Sequence, residues 1–527
     1  MQHGCSFQSK RAHITTILAR LSMLALLTLV LLGSVAYDTG TANAQTQGTE
    51  QSSLPTPWWH HLTNERALDA VRYGYTLQDI QNNLDRYQRQ GYQVINLDWP
   101  VSAGPVSLFG GFSASDYYHT DPRLAAPGTN ADTDWNTFVT AVHKHGMAVI
   151  SWFNPSYIWT GSPLFQQAEA DVAQYGPIRA NQPATSPARY FEWQLGAGTV
   201  TKPCDTCATS YLSRRWVTDP NASYQGQTVS YYGVWSDQPS GDYASSEWQS
   251  YITGALKHWM DTRIDGFIFD APRLYLNCNA SCVKNVLVAT VHSYRNRVAF
   301  SEIPTNTTAI TDYGFDGTEN ANFSSSKPWS DAITTQNSSS IESSSTLAER
   351  DAFAALGGTS IEPLNPAVLN NDQENLLAAA TTVATGNYLM VKDTISTLDS
   401  DGSQFGDFGT WPDSRSAPKL KAITDAVRDN AALDLSGTRQ QLSTNDNSKY
   451  YAFLRLSPDG SSYALVILNY QNSAQTITVD LTGTNLNIQQ SPIDLLTGGR
   501  GPRMTSDSYT VTLPAWGYAF YGVSVGQ

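Results

Sequence analysis

The chain has 527 residues, a formal net charge of −14, 41% hydrophobic and 15% charged residues, and 11% aromatic residues including 14 tryptophans and 27 tyrosines. That length supports a large buried core and more than one domain, and the low charge with high aromatic content excludes a disordered polypeptide. The acidic balance argues against a nucleic-acid partner, while the aromatic residues suit either an ordinary core or surfaces on which sugar rings stack.

Lys10, Arg11 and Arg20 precede the apolar run Leu21 to Ala36, and Ala42-Asn43-Ala44 offers a small-residue cleavage site. Residues 1–44 therefore read as a signal peptide and the mature protein as secreted, with no stable membrane insertion after cleavage. The run is short for a membrane span, and an uncleaved anchor at the cell surface is the alternative. Cleavage removes three cations and one anion (Asp38), which takes the net charge from −14 to −16. Residues 45–56 read as a flexible linker.

Helix and strand signals then alternate. An amphipathic helix is predicted from Asp79 to Gln90, ending near Gly91, and a strand from Tyr92 to Leu97. A helix from Asp134 to His145 stops at Gly146 and leads into a strand from Met147 to Trp152. Residues 158–240, rich in Trp, Tyr, Pro, Gly and Ser, show no sustained helical period and read as an irregular insert, too long for an ordinary loop. The helix Glu247 to Met260 feeds a strand ending at Asp270, and the helix Cys282 to Arg295 feeds a strand ending at Glu302. Asn375 to Ala384 and Tyr388 to Val391 repeat the unit, and a helix from Pro418 to Asp429 closes it. After residue 440 the pattern becomes alternating strands at Lys449 to Leu456, Ser462 to Asn469, Gln475 to Asp480 and Tyr509 to Leu513. The fold class is α/β: a (β/α)8 TIM barrel over 57–157 and 241–435, the insert domain 158–240 after strand 3, and a C-terminal antiparallel β-sandwich over 436–527.

Within the barrel, Ile264-Asp-Gly-Phe-Ile-Phe-Asp270 and Val298-Ala-Phe-Ser-Glu302 are apolar strands that each deliver a carboxylate at the C-terminal end. One such Asp is most often a helix N-cap. Two on neighbouring strands stand at the face where barrel enzymes build their sites, and together can flank a glycosidic bond. Of the five cysteines, Cys5 leaves with the signal peptide, and Cys204, Cys207, Cys278 and Cys282 remain. They allow three pairings, two local loop-stapling disulfides being the simplest in an oxidising compartment. A zinc site has compatible ligand types, and a redox Cys-x-x-Cys lacks its βαβ context.

The ordered set of motifs resembles the α-amylase superfamily, glycoside hydrolase family thirteen, in its α-glucosidase and oligo-1,6-glucosidase branch. The matching stretches are Trp58-Trp59, Gly110 to Tyr118 with Asp121-Pro122-Arg123, Ser186 to Trp193, Gln238-Pro239 with Asp242-Tyr243, the two carboxylate strands, and Tyr450 to Leu481. A rival resemblance is that of Gln93 to Trp99 to the first strand of α-galactosidase-type barrels. The family resemblance implies a retaining glycoside hydrolase or transglycosylase acting on α-glucosides or α-glucans. Asp270 would be the nucleophile and Glu302 the acid/base, with no cofactor and an oligosaccharide or polysaccharide partner. It further implies sugar contacts at Tyr117, Arg273 and Asn365, while Trp152 and Tyr157, which depart from the family, offer an aromatic wall suited to stacking on a sugar ring.

Departures from the family pattern are concentrated around the reacting sugar. Ile268 stands where the family has an arginine two residues before the nucleophile, and Trp152, Ser156 and Tyr157 replace an Asp and an Asn-His pair. Ser360 to Asn365 lacks the late His-Asp pair. No calcium loop is recognisable, so no metal site is assigned, although calcium suits the family. Arg263 lies at the wrong end of its strand to replace the missing cation. The other reading these losses support is a catalytically weak or inactive relative that binds carbohydrate.

Overall fold

The computed structural model describes residues 58–524 except 106–112, 197–215, 219–227, 236, 271, 273–278, 303–306, 320–328, 365, 367–368, 393–410, 487–489 and 506. Eight parallel strands close a barrel in chain order. They are β1 (Asn64–Leu68), β2 (Val94–Leu97), β3 (Ala148–Phe153), β4 (Gly266–Phe269), β5 (Val298–Ser301), β6 (Gly317–Glu319), β7 (Thr359–Leu364) and β8 (Tyr388–Lys392), with β8 pairing back onto β1. The segment Gln93 to Trp99 thus contributes the second strand of the barrel, which removes the α-galactosidase-type register.

Strand side chains alternate between the two faces of the sheet. Val94, Ala148, Ile150, Ile268, Val298, Phe300, Ile361 and Met390 form one buried cluster with Trp152 and Tyr388. Leu97, Phe153, Phe267, Phe269, Ala299 and Leu389 join a separate, larger core with the helices. Ile268, Phe300 and Met390 therefore fill the barrel interior. Two residues further along the same faces, at the C-terminal mouth, come Asp270, Glu302 and Lys392.

At the opposite end, Asp265 and Asp316 each accept a hydrogen bond from a neighbouring strand's backbone, from Val149 N at 2.9 Å and Ala299 N at 2.8 Å. Each is also paired with a histidine, His143 at 2.7 Å and His292 at 2.9 Å. Arg263 sits beside them, its guanidinium donating to Thr140 Oγ1 at 2.9 Å.

Three helical expectations need correction. The helix expected over Asp79 to Gln90 is two short helices, Leu77–Gln81 and Leu84–Arg89, because the chain resets at Asn82-Asn83. The helix expected over Cys282 to Arg295 ends at His292 and widens to a π turn over Lys284–Val288. The insert, expected to have no helical period, contains a regular helix at Pro163–Tyr175. Ser162 caps it, Pro163 opens it, and it buries a stripe of only three residues, Phe165, Ala168 and Val172.

Phe165 stacks on Trp193 at 5.5 Å and meets Phe191 and Tyr231 edge-on at 5.0 and 4.9 Å. Much of the insert's aromatic content is therefore its own core. Arg189 Nε donates to Glu247 Oε1 at 2.6 Å, and Arg179 pairs with Asp242, tying the insert to the segment that re-enters the barrel. There a side chain on Gly241 would put its Cβ 1.8 Å from the Trp248 ring, so only glycine fits.

The C-terminal strands are β9 (Thr438–Leu442), β10 (Tyr450–Leu456), β11 (Tyr463–Asn469), β12 (Gln475–Asp480), β13 (Ile493–Asp494), β14 (Ser508–Leu513) and β15 (Tyr518–Val523). They form an antiparallel sheet in the order β9-β10-β11-β15-β13 and a separate β12-β14 pair. Between them lies a distinct apolar core that includes Leu454, Leu465, Ile477, Val479 and Val511.

Low in the barrel, Glu65 on β1 is fully buried and accepts hydrogen bonds from Tyr388 Oη at 2.5 Å and Asn96 Nδ2 at 2.8 Å. Burial pushes its carboxyl up to about 7, against the pull of those two donors. The folded state then binds more protons than the unfolded chain between about pH 4.5 and 7, so this group's contribution to stability falls as pH rises through that window. A glutamine can accept from Tyr388 and donate to the Asn96 carbonyl. Glu65→Gln is expected to flatten that fall and to gain up to about 3 kcal/mol at neutral pH. Urea denaturation at pH 4.5 and 7.5 checks it; a variant with the wild-type pH slope refutes it.

Candidate active site

Phe269 and Ser301 are register partners on β4 and β5, so the residues that follow, Asp270 and Glu302, stand side by side at the barrel mouth. Their backbones are fixed from below. Asp270 N donates to Phe153 O at 3.0 Å and Glu302 N to Phe269 O at 2.9 Å. The two side chains hydrogen-bond to each other, and Asp270 also receives a hydrogen bond from Tyr157.

Two carboxyls can share a hydrogen bond only if one keeps its proton. Burial pushes both upward. Glu302 is pushed further, well above the carboxylate range, because it also faces the charge of Asp270 and donates the shared hydrogen bond, with Glu319 adding to the push. Asp270 is raised less, because the bonds from Glu302 and Tyr157 stabilise its anion. The proton therefore belongs to Glu302 and the charge to Asp270, the division that an acid and a nucleophile require.

The other expected site residues fall into three groups. Trp152 and Tyr157 lie at this mouth, both nearly buried. Tyr117, expected to touch sugar, is fully buried instead, its hydroxyl 2.7 Å from Asn154 O and 2.9 Å from Tyr157 O. It braces the segment that carries Tyr157, because the backbone already occupies its hydroxyl. Arg273, Asn365, Cys204, Cys207 and Cys278 lie outside the described residues. Cys282 is disulfide-bonded, which removes it as a zinc thiolate.

Several charged residues at the site were not anticipated from the sequence. Lys392, ending β8, pairs with Glu319, ending β6, at 2.9 Å, and its ammonium lies 5.2 Å from the centre of the Trp152 ring. Asp98, just after β2, acts electrostatically on the same lysine. The strand-end rule that singles out Asp270 and Glu302 applies equally to Lys392, which follows the apolar run Tyr388 to Val391. It finds Glu319 less readily, because the strand Gly317-Thr-Glu319 offers no apolar run. Ile268, where a cation was missed, is fully buried in the apolar barrel interior.

Residues 440–520 match the model of the maltogenic amylase C-terminal domain. Among solved structures, an Anoxybacillus α-amylase superposes with a TM-score of 0.63 at 13% identity, covering 89% of this chain and 99% of that one. The trehalose-6-phosphate hydrolase of Bacillus licheniformis does so with a TM-score of 0.62 at 14% identity, covering 89% and 100%. The amino acid transporter heavy chain SLC3A1 of Rattus norvegicus is 24% identical over 204 residues, 38% of this chain and 26% of that protein. The aligned stretch thus spans about a quarter of that relative's length. At these identities the structural likeness is one of fold.

Proposed function

We propose, for a chain that has the α-amylase-family fold and ends in a maltogenic-amylase-type domain, that it is a retaining α-glycoside hydrolase or transglycosylase acting on α-glucosides or α-glucans. The observation that carries this reading is the side-by-side placement of Asp270 and Glu302 at the barrel mouth, in surroundings that raise Glu302 further than Asp270. Asp270 attacks the anomeric carbon while Glu302 gives its proton to the departing glycosidic oxygen. Glu302, now a carboxylate, then takes a proton from water or an acceptor sugar, which displaces Asp270 with net retention. Tyr157 holds the nucleophile through its hydrogen bond. With its basic and apolar leader, the protein is read as working outside the cell.

A second reading, a carbohydrate-binding relative without turnover, draws on the likeness to a protein named as a transporter heavy chain and on the apolar Ile268. A panel of aryl α-glycosides and short α-glucans separates the two. Turnover by the mature protein that disappears in Asp270→Asn supports the first reading. Saturable sugar binding without turnover supports the second.

A further inference from the structure

A retaining site needs a mechanism that keeps one proton on the acid while the nucleophile stays charged, and here the barrel layer beneath Asp270 is apolar. Among the described residues, a cation reaches this mouth from β8. Lys392 Nζ lies 2.9 Å from Glu319 Oε1 and 5.2 Å from the Trp152 ring centre. Both partners are inward-facing strand ends, and Glu319 is fully buried. Water therefore screens this ion pair little, and the charges act on their neighbours at short range in a low dielectric.

We propose that the Lys392–Glu319 ion pair is the positioning element of the reacting pair, Glu319 holding the shared proton on Glu302 and Lys392 limiting how firmly it is held. This rests on reading Asp270 and Glu302 as the reacting groups. Among the described residues, the carboxyl groups that act on Lys392 are Glu319 on β6, Asp98 after β2, Glu302 after β5 and, deeper, Glu65 on β1. Asp270 in turn acts on Glu319. Ser301 and Thr318 are register partners on β5 and β6, so Glu302 and Glu319, which follow them, stand side by side, and Lys392 is bonded to Glu319. A carboxylate beside Glu302 raises it and an ammonium lowers it, the directions found here. Removing the carboxylate and removing the ammonium therefore have opposite effects.

The test titrates the glutamate carboxyls by 13C NMR in the unliganded protein, the Glu302 signal being identified by its loss in Glu302→Gln. Glu319→Gln is expected to lower the Glu302 midpoint by about one pH unit, because a carboxylate is lost and the ammonium is left unopposed. Adding Lys392→Met to Glu319→Gln removes that ammonium and is expected to bring the midpoint back up. The double variant also leaves no buried charge of the pair unpartnered, so it retains the fold if either does. A midpoint unmoved by Glu319→Gln, or identical in the single and double variants, overturns the proposal.

Where there is turnover, the basic limb of kcat/KM follows the same order, a pattern that general damage to the barrel does not produce. Midpoints that move as expected in a protein without turnover leave the ion pair's role standing and remove the glycosidase reading instead.

Discussion

Glu302→Gln is expected to lower turnover of an α-glucoside with a poor leaving group by about a hundredfold to ten-thousandfold. The amide keeps the size and much of the hydrogen bonding of the acid but has no proton to give. The defect therefore depends on how much help the leaving oxygen needs. A dinitrophenyl glucoside, which departs without protonation, is expected to form the covalent intermediate at nearly the wild-type rate. Its hydrolysis then stalls, because the same residue serves as base in the second step. Azide, a nucleophile that needs no deprotonation, is expected to restore turnover and to give a glucosyl azide of retained configuration. Azide rescue checks the assignment of Glu302. An equal loss on both leaving groups, with no rescue, would assign Glu302 a structural role.

The largest stability effect is expected far from the site. Arg455 on β10 is fully buried, and its guanidinium donates to Ala384 O and Gly437 O, each at 3.1 Å, and to Asp434 O. Arg350 meets it from the barrel side, donating to Gly386 O at 3.2 Å, Gly437 O at 2.7 Å and Leu435 O. The two side chains satisfy backbone carbonyls where the barrel passes into the sandwich. Arg455→Ala leaves buried acceptors without donors and opens a cavity, a loss of about 3–5 kcal/mol. The Gly437 carbonyl keeps its bond from Arg350, and Arg455→Met is expected to lose less because it refills the space. Guanidinium denaturation checks the order wild type, Met, Ala. A loss under about 1 kcal/mol in the alanine variant contradicts this role.

How far the sequence could be read follows from where each residue's partners lie. Asp270 and Glu302 were legible because each ends an apolar run, a local pattern with one strong structural meaning. The first barrel strand was not. Asn64-Glu-Arg-Ala-Leu68 offers no apolar run, yet its Glu65 and Arg66 are buried and hydrogen-bonded to Tyr388, Asn96 and the Trp411 carbonyl, 31 to 345 positions away. No local window contains that compensation. Tyr117 shows the converse. Resemblance assigned it to the sugar, but its hydroxyl is engaged by the Asn154 and Tyr157 carbonyls. The insert helix was hidden by a stripe too narrow to register as periodic, and the Lys392–Glu319 pair by its spread across two strands 73 positions apart.

The most direct test is incubation of the mature protein with an α-configured cyclophellitol-type epoxide, followed by peptide mass spectrometry. This reagent needs an ionised nucleophile and a protonated acid in one pocket, the state inferred for Asp270 and Glu302. The expected result is one adduct per chain, on Asp270, slowed by added α-glucan and absent in Asp270→Asn. An unlabelled protein, or an adduct on a different carboxylate, would contradict the assignment of Asp270 as nucleophile.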